Sequence, residues 1–132
     1  MRKDAREAVY KLIFEYTYTK EINERTKILL TQSTNINEQD KEYIESTLSG
    51  IIENYDALTA KVMEYATGYS SPERLNRADF CALIVGTYEL LYGKDIPVGV
   101  AISEALNLSG EFGGEKSVGF VNGILASINK NR

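Results

Sequence analysis

The residues most able to do chemistry sit near the C-terminus. Gly110-Glu111-Phe112-Gly113-Gly114-Glu115-Lys116-Ser117 carries the glycines, lysine and serine of a phosphate-binding loop, but Glu115 stands where that loop needs glycine before its lysine. No strand pattern precedes it, so nucleotide binding by this route is set aside. Phe120 follows Gly119 and lies close to Lys116 at the start of a predicted helix. An aromatic beside a glycine and a lysine could stack an unpaired base; the same residue could equally be core. At the other end, Arg2, Lys3, Arg6 and Lys11 face only Asp4 and Glu7 among the first eleven residues, although the chain as a whole carries a net charge of −4. Such a front could be a small cationic arm for phosphate or an ordinary solvated helix start.

Other chemistries are excluded by composition. The chain has no histidine and one cysteine, Cys81. That removes a His general base, a Ser-His-Asp or Cys-His couple, a His metal ligand, a cysteine-rich zinc site and an internal disulfide. Glu38, Asp40, Glu42 and Glu45 are dense, but they read as acids at a solvated helix start, where the dipole favours them. Cys81 reads as a small buried apolar residue. No cofactor or metal is expected.

The elements that must position these residues are helical. At 132 residues the chain has room for one ordinary domain. Apolar residues recur at i, i+3, i+4 and i+7 in segment after segment, and strand alternation is missing. The spacing predicts helices at about 4–19 and 23–31, then a long one from an Asn37 cap through Tyr43, Tyr55 and Tyr65 to a stop at Gly68, with Gly50 inside it as a bend or close contact. Further helices are predicted at about 72–92, 98–111 and 117–129. The expectation is an all-α chain of two packed helical bundles, about 1–69 with three helices and about 70–132 with three to four. No apolar stretch is long enough to span a membrane and no secretory signal is evident, so the cytoplasm is expected.

Pro97-x-x-Val100-Ala101-Ile102-x-Glu104-Ala105-x-x-Leu108, then Phe112-Gly113, then Ser117-x-x-Phe120-Val121-Asn122-Gly123-Ile124-Leu125, resembles the NusB family of transcription antitermination factors. Arg74-Leu75, Ala82-Leu83, Tyr88-Glu89-Leu90 and the front Ala5-Arg6-Glu7 running into Leu12-Ile13-Phe14 are similar to the same family. The likeness spans essentially the whole chain, and Phe120-Val121-Asn122-Gly123 is its most specific part.

The resemblance implies a non-enzymatic RNA-binding protein of two helical bundles. It implies binding of single-stranded boxA-type RNA together with a ribosomal small-subunit protein acting as NusE, within an RNA polymerase antitermination complex. The RNA-binding positions it implies are Arg2, Lys3, Arg6, Phe14, Lys116, Ser117, Phe120 and Asn122, with Arg2, Lys3 and Arg6 on a mobile N-terminal arm. Glu73 and Asp79 match acidic positions that face the protein partner. Phe80, Ile84 and Gly110 stand where Lys or Arg is common, which motivates an alternative: a protein-interaction module with the family fold and weak or lost specific RNA binding. A homodimer that hides the arm is left open.

Overall fold

Ala5, Ala8, Val9, Leu12 and Ile13 fall on one side of a helix and are all buried. This stripe fixes the first element, α1 (Arg2–Thr19), of a computed structural model that describes residues 2–132. It is followed by α2 (Glu24–Thr31), α3 (Glu38–Glu53), α4 (Tyr55–Tyr65), a 3-10 turn (Pro72–Arg74), α5 (Arg77–Tyr92), α6 (Val98–Gly113) and α7 (Glu115–Lys130). Among the described residues there is no strand, as expected, and no helix is long and apolar enough to cross a membrane.

Four boundaries differ from the sequence expectation. Helix α1 starts at Arg2, two residues early, so Arg2 and Lys3 belong to a helix and not to an arm. The long third helix is two helices. Asn54 ends α3 by taking φ −106°, ψ 15°, and its side-chain amide donates to the Gly50 carbonyl at 2.8 Å. Asparagine competes for backbone groups in this way, whereas the apolar period runs on across the break. The segment from Pro72 opens as a 3-10 turn, and α5 proper begins after Asn76, whose side chain accepts from the Ala78 and Asp79 amides. Helix α6 reaches Gly113, and Gly114, at φ 100°, separates it from α7. The Asn37 cap is present as expected, in a capping box closed by Asp40.

Helix α5 is the hub. Phe80 to Val85 are all at most 3% exposed, so it is apolar around its whole circumference. It packs against α1, α3 and α4 on one side and α6 and α7 on the other, joining the two bundles. Two glycines permit these approaches. A Cβ at Gly50 would collide with the Tyr88 hydroxyl and the ring edge that carries it, which identifies this glycine as a close α3–α5 contact. A Cβ at Gly86 would lie 2.9 Å from the Ala105 Cβ and 3.0 Å from Leu125 Cδ1. Gly86→Ala is therefore expected to destabilise the protein by about 1 kcal/mol despite its better helix propensity, because Ala105 and Leu125 are both buried in the core with little room to move. A urea titration of the variant checks this, and a stabilised variant would contradict the packing.

One ion pair ties the bundles together. Arg6 Nε and Nη2 donate to the two carboxylate oxygens of Glu89 at 2.8 and 3.1 Å, across 83 residues of chain. Both side chains are buried, at 7% and 2% exposure. Burial disfavours the Arg6 charge, yet the Glu89 carboxylate outweighs it and holds the guanidinium above its ordinary pKa.

Candidate RNA interface

The exposed side of α1 places Lys3, Glu7, Lys11 and Phe14 in line, four or three residues apart. The end of α6 lies against this side. Phe112 stacks on Tyr10 with ring centroids 4.8 Å apart and an interplanar angle of 17°. Tyr10 also packs 6.2 Å from Phe14, and its hydroxyl donates to the Ala78 carbonyl at 3.0 Å. Tyr10, Lys11, Phe14, Ala78 and Phe112 thus line an open apolar groove of about 310 Å³ with an ammonium at its edge. Phe112 is 38% exposed, a large share for an aromatic ring at the end of an apolar helix.

Beyond Gly114, Lys116 is exposed in the first turn of α7, where no side chain caps the helix. Backbone N–H groups at such an end attract anions, and the ammonium adds to that attraction. One turn on, Phe120 is half-buried, with its ring edge-to-face against Tyr69 at 5.7 Å and 67°. Asn122 is exposed on the same helix.

The sequence-implied residues divide by accessibility. Arg2, Lys3, Lys116 and Asn122 are exposed, and Phe14 and Phe120 are half-buried. Arg2 bonds Asp40 through Nε at 3.3 Å and lies 4.4 Å from the centre of the Tyr43 ring. Arg6 is a correction: it is 6% exposed and fully engaged by Glu89, so in this structure it holds α1 to α5 and offers no free charge to phosphate. Ser117 is also buried, at 6%, packed against Gly113. Its position under the α6–α7 corner leaves it no open face for RNA.

Of the two acids matched to the protein partner, Glu73 is exposed, and its own backbone amide and the Ser71 hydroxyl hold its carboxyl below the ordinary value. Asp79 is 8% exposed and sits beside Gly113, with Oδ1 buried and no hydrogen-bond partner among the described residues. Burial raises the pKa of the Tyr10 phenol, and the Asp79 carboxylate is near enough to help raise it.

Of the three substitutions that suggested lost RNA affinity, two lie in the core and Gly110 is partly exposed. Phe80 and Ile84 are 3% and 0% exposed. Residues so placed are core, and their side chains bear on packing before they bear on any surface charge. Sequence reasoning left out Tyr10 and Tyr69 and gave Lys11 and Phe112 no place in a groove. The i, i+4 spacing of Tyr10 and Phe14 around Lys11 was the available signal, and nothing local announced that Phe112 would land on Tyr10.

One feature of this face opposes RNA. The carboxyl groups of Glu7 and Glu111 meet, and partial burial together with this contact raises the Glu7 pKa, with Lys11 and Lys3 acting in the opposite sense. A carboxyl whose pKa is raised by folding adds stability below its free value of 4.5 and loses it as the pH rises through the raised value. Glu7→Gln is expected to leave stability unchanged near pH 4 and to raise it at pH 7 by up to about 0.5 kcal/mol, the scale of a surface charge pair. Urea midpoints at the two pH values check it, and equal shifts at both would contradict the carboxyl contact.

The chain as a whole has clear relatives. The sequence model of the NusB family matches residues 3–130. The transcription antitermination protein NusB of Agathobacter rectalis is 34% identical over 129 residues, covering 96% of this chain and 98% of that protein. The solved T. maritima NusB is similar with a TM-score of 0.89 at 32% identity, covering 100% of this chain and 92% of that one. A chain from a solved assembly of antitermination factors NusB and NusE with double-stranded RNA has the same fold, with a TM-score of 0.86 at 23% identity over 99% of this chain and 97% of its own. With an all-helical architecture among the described residues and a family match over residues 3–130, this chain belongs to the NusB family.

Proposed function

We propose that this protein is a transcription antitermination factor that binds boxA-type RNA together with a NusE-like ribosomal protein, in the cytoplasm and without a catalytic step. The observation that carries this reading is the open aromatic groove with Lys11 at its edge, in a chain whose net charge is −4. The relatives' name supplies antitermination, and the solved NusB–NusE–RNA assembly supplies the two partner classes.

In this reading RNA runs over Lys3, Lys11 and Lys116, with Arg2 at the edge and Phe120 offering a ring to one unstacked base. Phosphate meets the uncapped start of α7, and Asn122 offers an amide to a base edge. The groove of Tyr10, Phe14 and Phe112 receives an apolar side chain of the protein partner, with Glu73 and Asp79 complementing that partner's basic surface. Arg6 contributes by holding α1 in place, and Ser117 by packing the corner that carries Lys116.

Three or so phosphate contacts give a log K against log salt slope of about −2, at roughly −0.7 per contact for a single strand. Lys116→Ala is expected to weaken RNA binding and flatten that slope by about 0.7. Fluorescence anisotropy of a labelled boxA-type RNA at several salt concentrations measures it. An unchanged slope would remove α7 from the RNA path.

A further inference from the structure

A second cavity opens between the start of α1, α3 and the end of α5, with Arg2 as its α1 residue. It has a volume of about 320 Å³ and is lined by residues of α1, α3, the end of α5 and the turn that follows. That volume is in the range of small-molecule sites. Its composition is unusual for a structural crevice. Tyr43 and Glu89 form the floor, both buried, and burial together with the Glu89 carboxylate pushes the Tyr43 phenol up. Tyr88 and Tyr92 form a wall, stacked on each other at 5.5 Å and 22°, and Tyr92 is 44% exposed. Arg2 and Lys94 provide two cations at the rim.

Each part has a matching ligand chemistry. The exposed face of Tyr92, already half of a parallel ring stack, extends naturally to a third flat ring. Arg2 uses Nε for Asp40, and its guanidinium lies parallel enough to the Tyr43 ring to bring its centre to 4.4 Å, so it is held in place at the rim. Lys94 precedes Asp95, which adopts φ 59° and turns the chain sharply after α5, setting the ammonium at the cavity mouth. The Glu89 carboxylate takes two donors from Arg6 and retains lone pairs for a further N–H. A flat ring, an anion beside it and N–H donors at the ring's far edge together describe a nucleotide.

We propose that this cavity binds a nucleotide, with the base against Tyr92, its N–H edge toward Glu89 and its phosphate between Arg2 and Lys94. Guanine fits best because its Watson–Crick edge donates from both an imino and an amino nitrogen. The ligand is a free guanine nucleotide or a guanosine unit of an RNA strand, since both present the same base and phosphate. The site meets the Lys3–Lys116 face only at Arg2, which also borders the proposed RNA path, and it does not rest on the antitermination reading.

The test titrates the full chain with guanosine 5′-monophosphate, with a guanosine-containing hexanucleotide and with inorganic phosphate, following backbone amide shifts. Saturable shifts centred on Thr47, Gly93 and Lys94 are expected for the nucleotide, with phosphate at least about fivefold weaker. Tyr92→Ala should weaken the nucleotide about fivefold or more, the lower end of what stacking one base on an aromatic contributes. Lys94→Ala should weaken it and reduce its salt dependence. Both side chains are exposed, so the variants should keep the parent's circular dichroism and melting curve. Binding of the free nucleotide alone assigns a mononucleotide site, and binding of the hexanucleotide at the same residues assigns a strand subsite. The proposal is overturned if neither probe shifts these residues saturably, if phosphate binds as well as the nucleotide, or if both variants bind like the parent. Loss of RNA binding in Lys116→Ala with this site intact would separate the two faces.

Discussion

Glu89→Ala is expected to cost about 3–5 kcal/mol of stability, a large part of what a domain of this size possesses. Glu89 lies on α5 and meets Arg6 on α1, with both side chains at 7% exposure or less. Removing the carboxylate leaves a guanidinium buried with no charge partner, and its nearest ring, Tyr43 at 5.6 Å, compensates little. Arg6→Ala strands the carboxylate instead and should cost a similar amount. Replacing both, as Arg6→Met with Glu89→Leu, removes both desolvation penalties and should recover most of the loss. Urea titrations of the three variants give the answer. A loss below about 1 kcal/mol in Glu89→Ala would show that water reaches the pair and that the tie between bundles lies elsewhere.

This result bears directly on function. A phosphate-binding arginine and a buried structural arginine both lower RNA affinity when replaced, but by different routes. Under conditions where Arg6→Ala remains folded, the account expects the salt slope of RNA binding to match the parent.

Phe120→Ala is expected to weaken RNA binding by about 1–3 kcal/mol, roughly 5- to 150-fold, with the salt slope unchanged. The ring is half-buried and already has one edge-to-face neighbour in Tyr69, so one face remains for a base. Truncation removes stacking area and no charge, whereas Lys116→Ala removes charge and no ring. The two variants should therefore separate affinity from salt dependence. Phe120→Leu keeps the apolar volume and should fold like the parent while losing most of the same affinity. If Phe120→Leu binds RNA as the parent does, Phe120 is a core residue and the stacking assignment is wrong.

The all-helical architecture was legible because each helix buries one stripe, and residues such as Ala101, Ala105 and Leu108 on α6 or Val121, Ile124, Leu125 and Ile128 on α7 announce it by spacing alone. The break at Asn54 was not, since Ile52, Tyr55 and Leu58 keep apolar period across a helix end made by a side-chain hydrogen bond. The start of α5 was placed too early because proline at a first turn fits a 3-10 turn as well as an α-helix. For the proposed site, charge and aromatic type single out Lys3, Lys116 and Phe120. They could not say which arginine is buried: Arg2 and Arg6 share one helix face, and only the long-range arrival of Glu89 decides that Arg6 is the structural one. The groove was missed for the same reason, as the Tyr10–Phe112 stack joins residues a hundred positions apart.

Binding of a boxA-type RNA to the full chain at two salt concentrations, with and without the NusE-like ribosomal protein and against a scrambled RNA, decides whether this protein reads RNA. The expected result is specific binding that weakens with salt and strengthens when the partner is present. Partner binding with no preference for boxA over the scrambled RNA, at either salt and in either state, would contradict it and leave the family fold serving as a protein-interaction module.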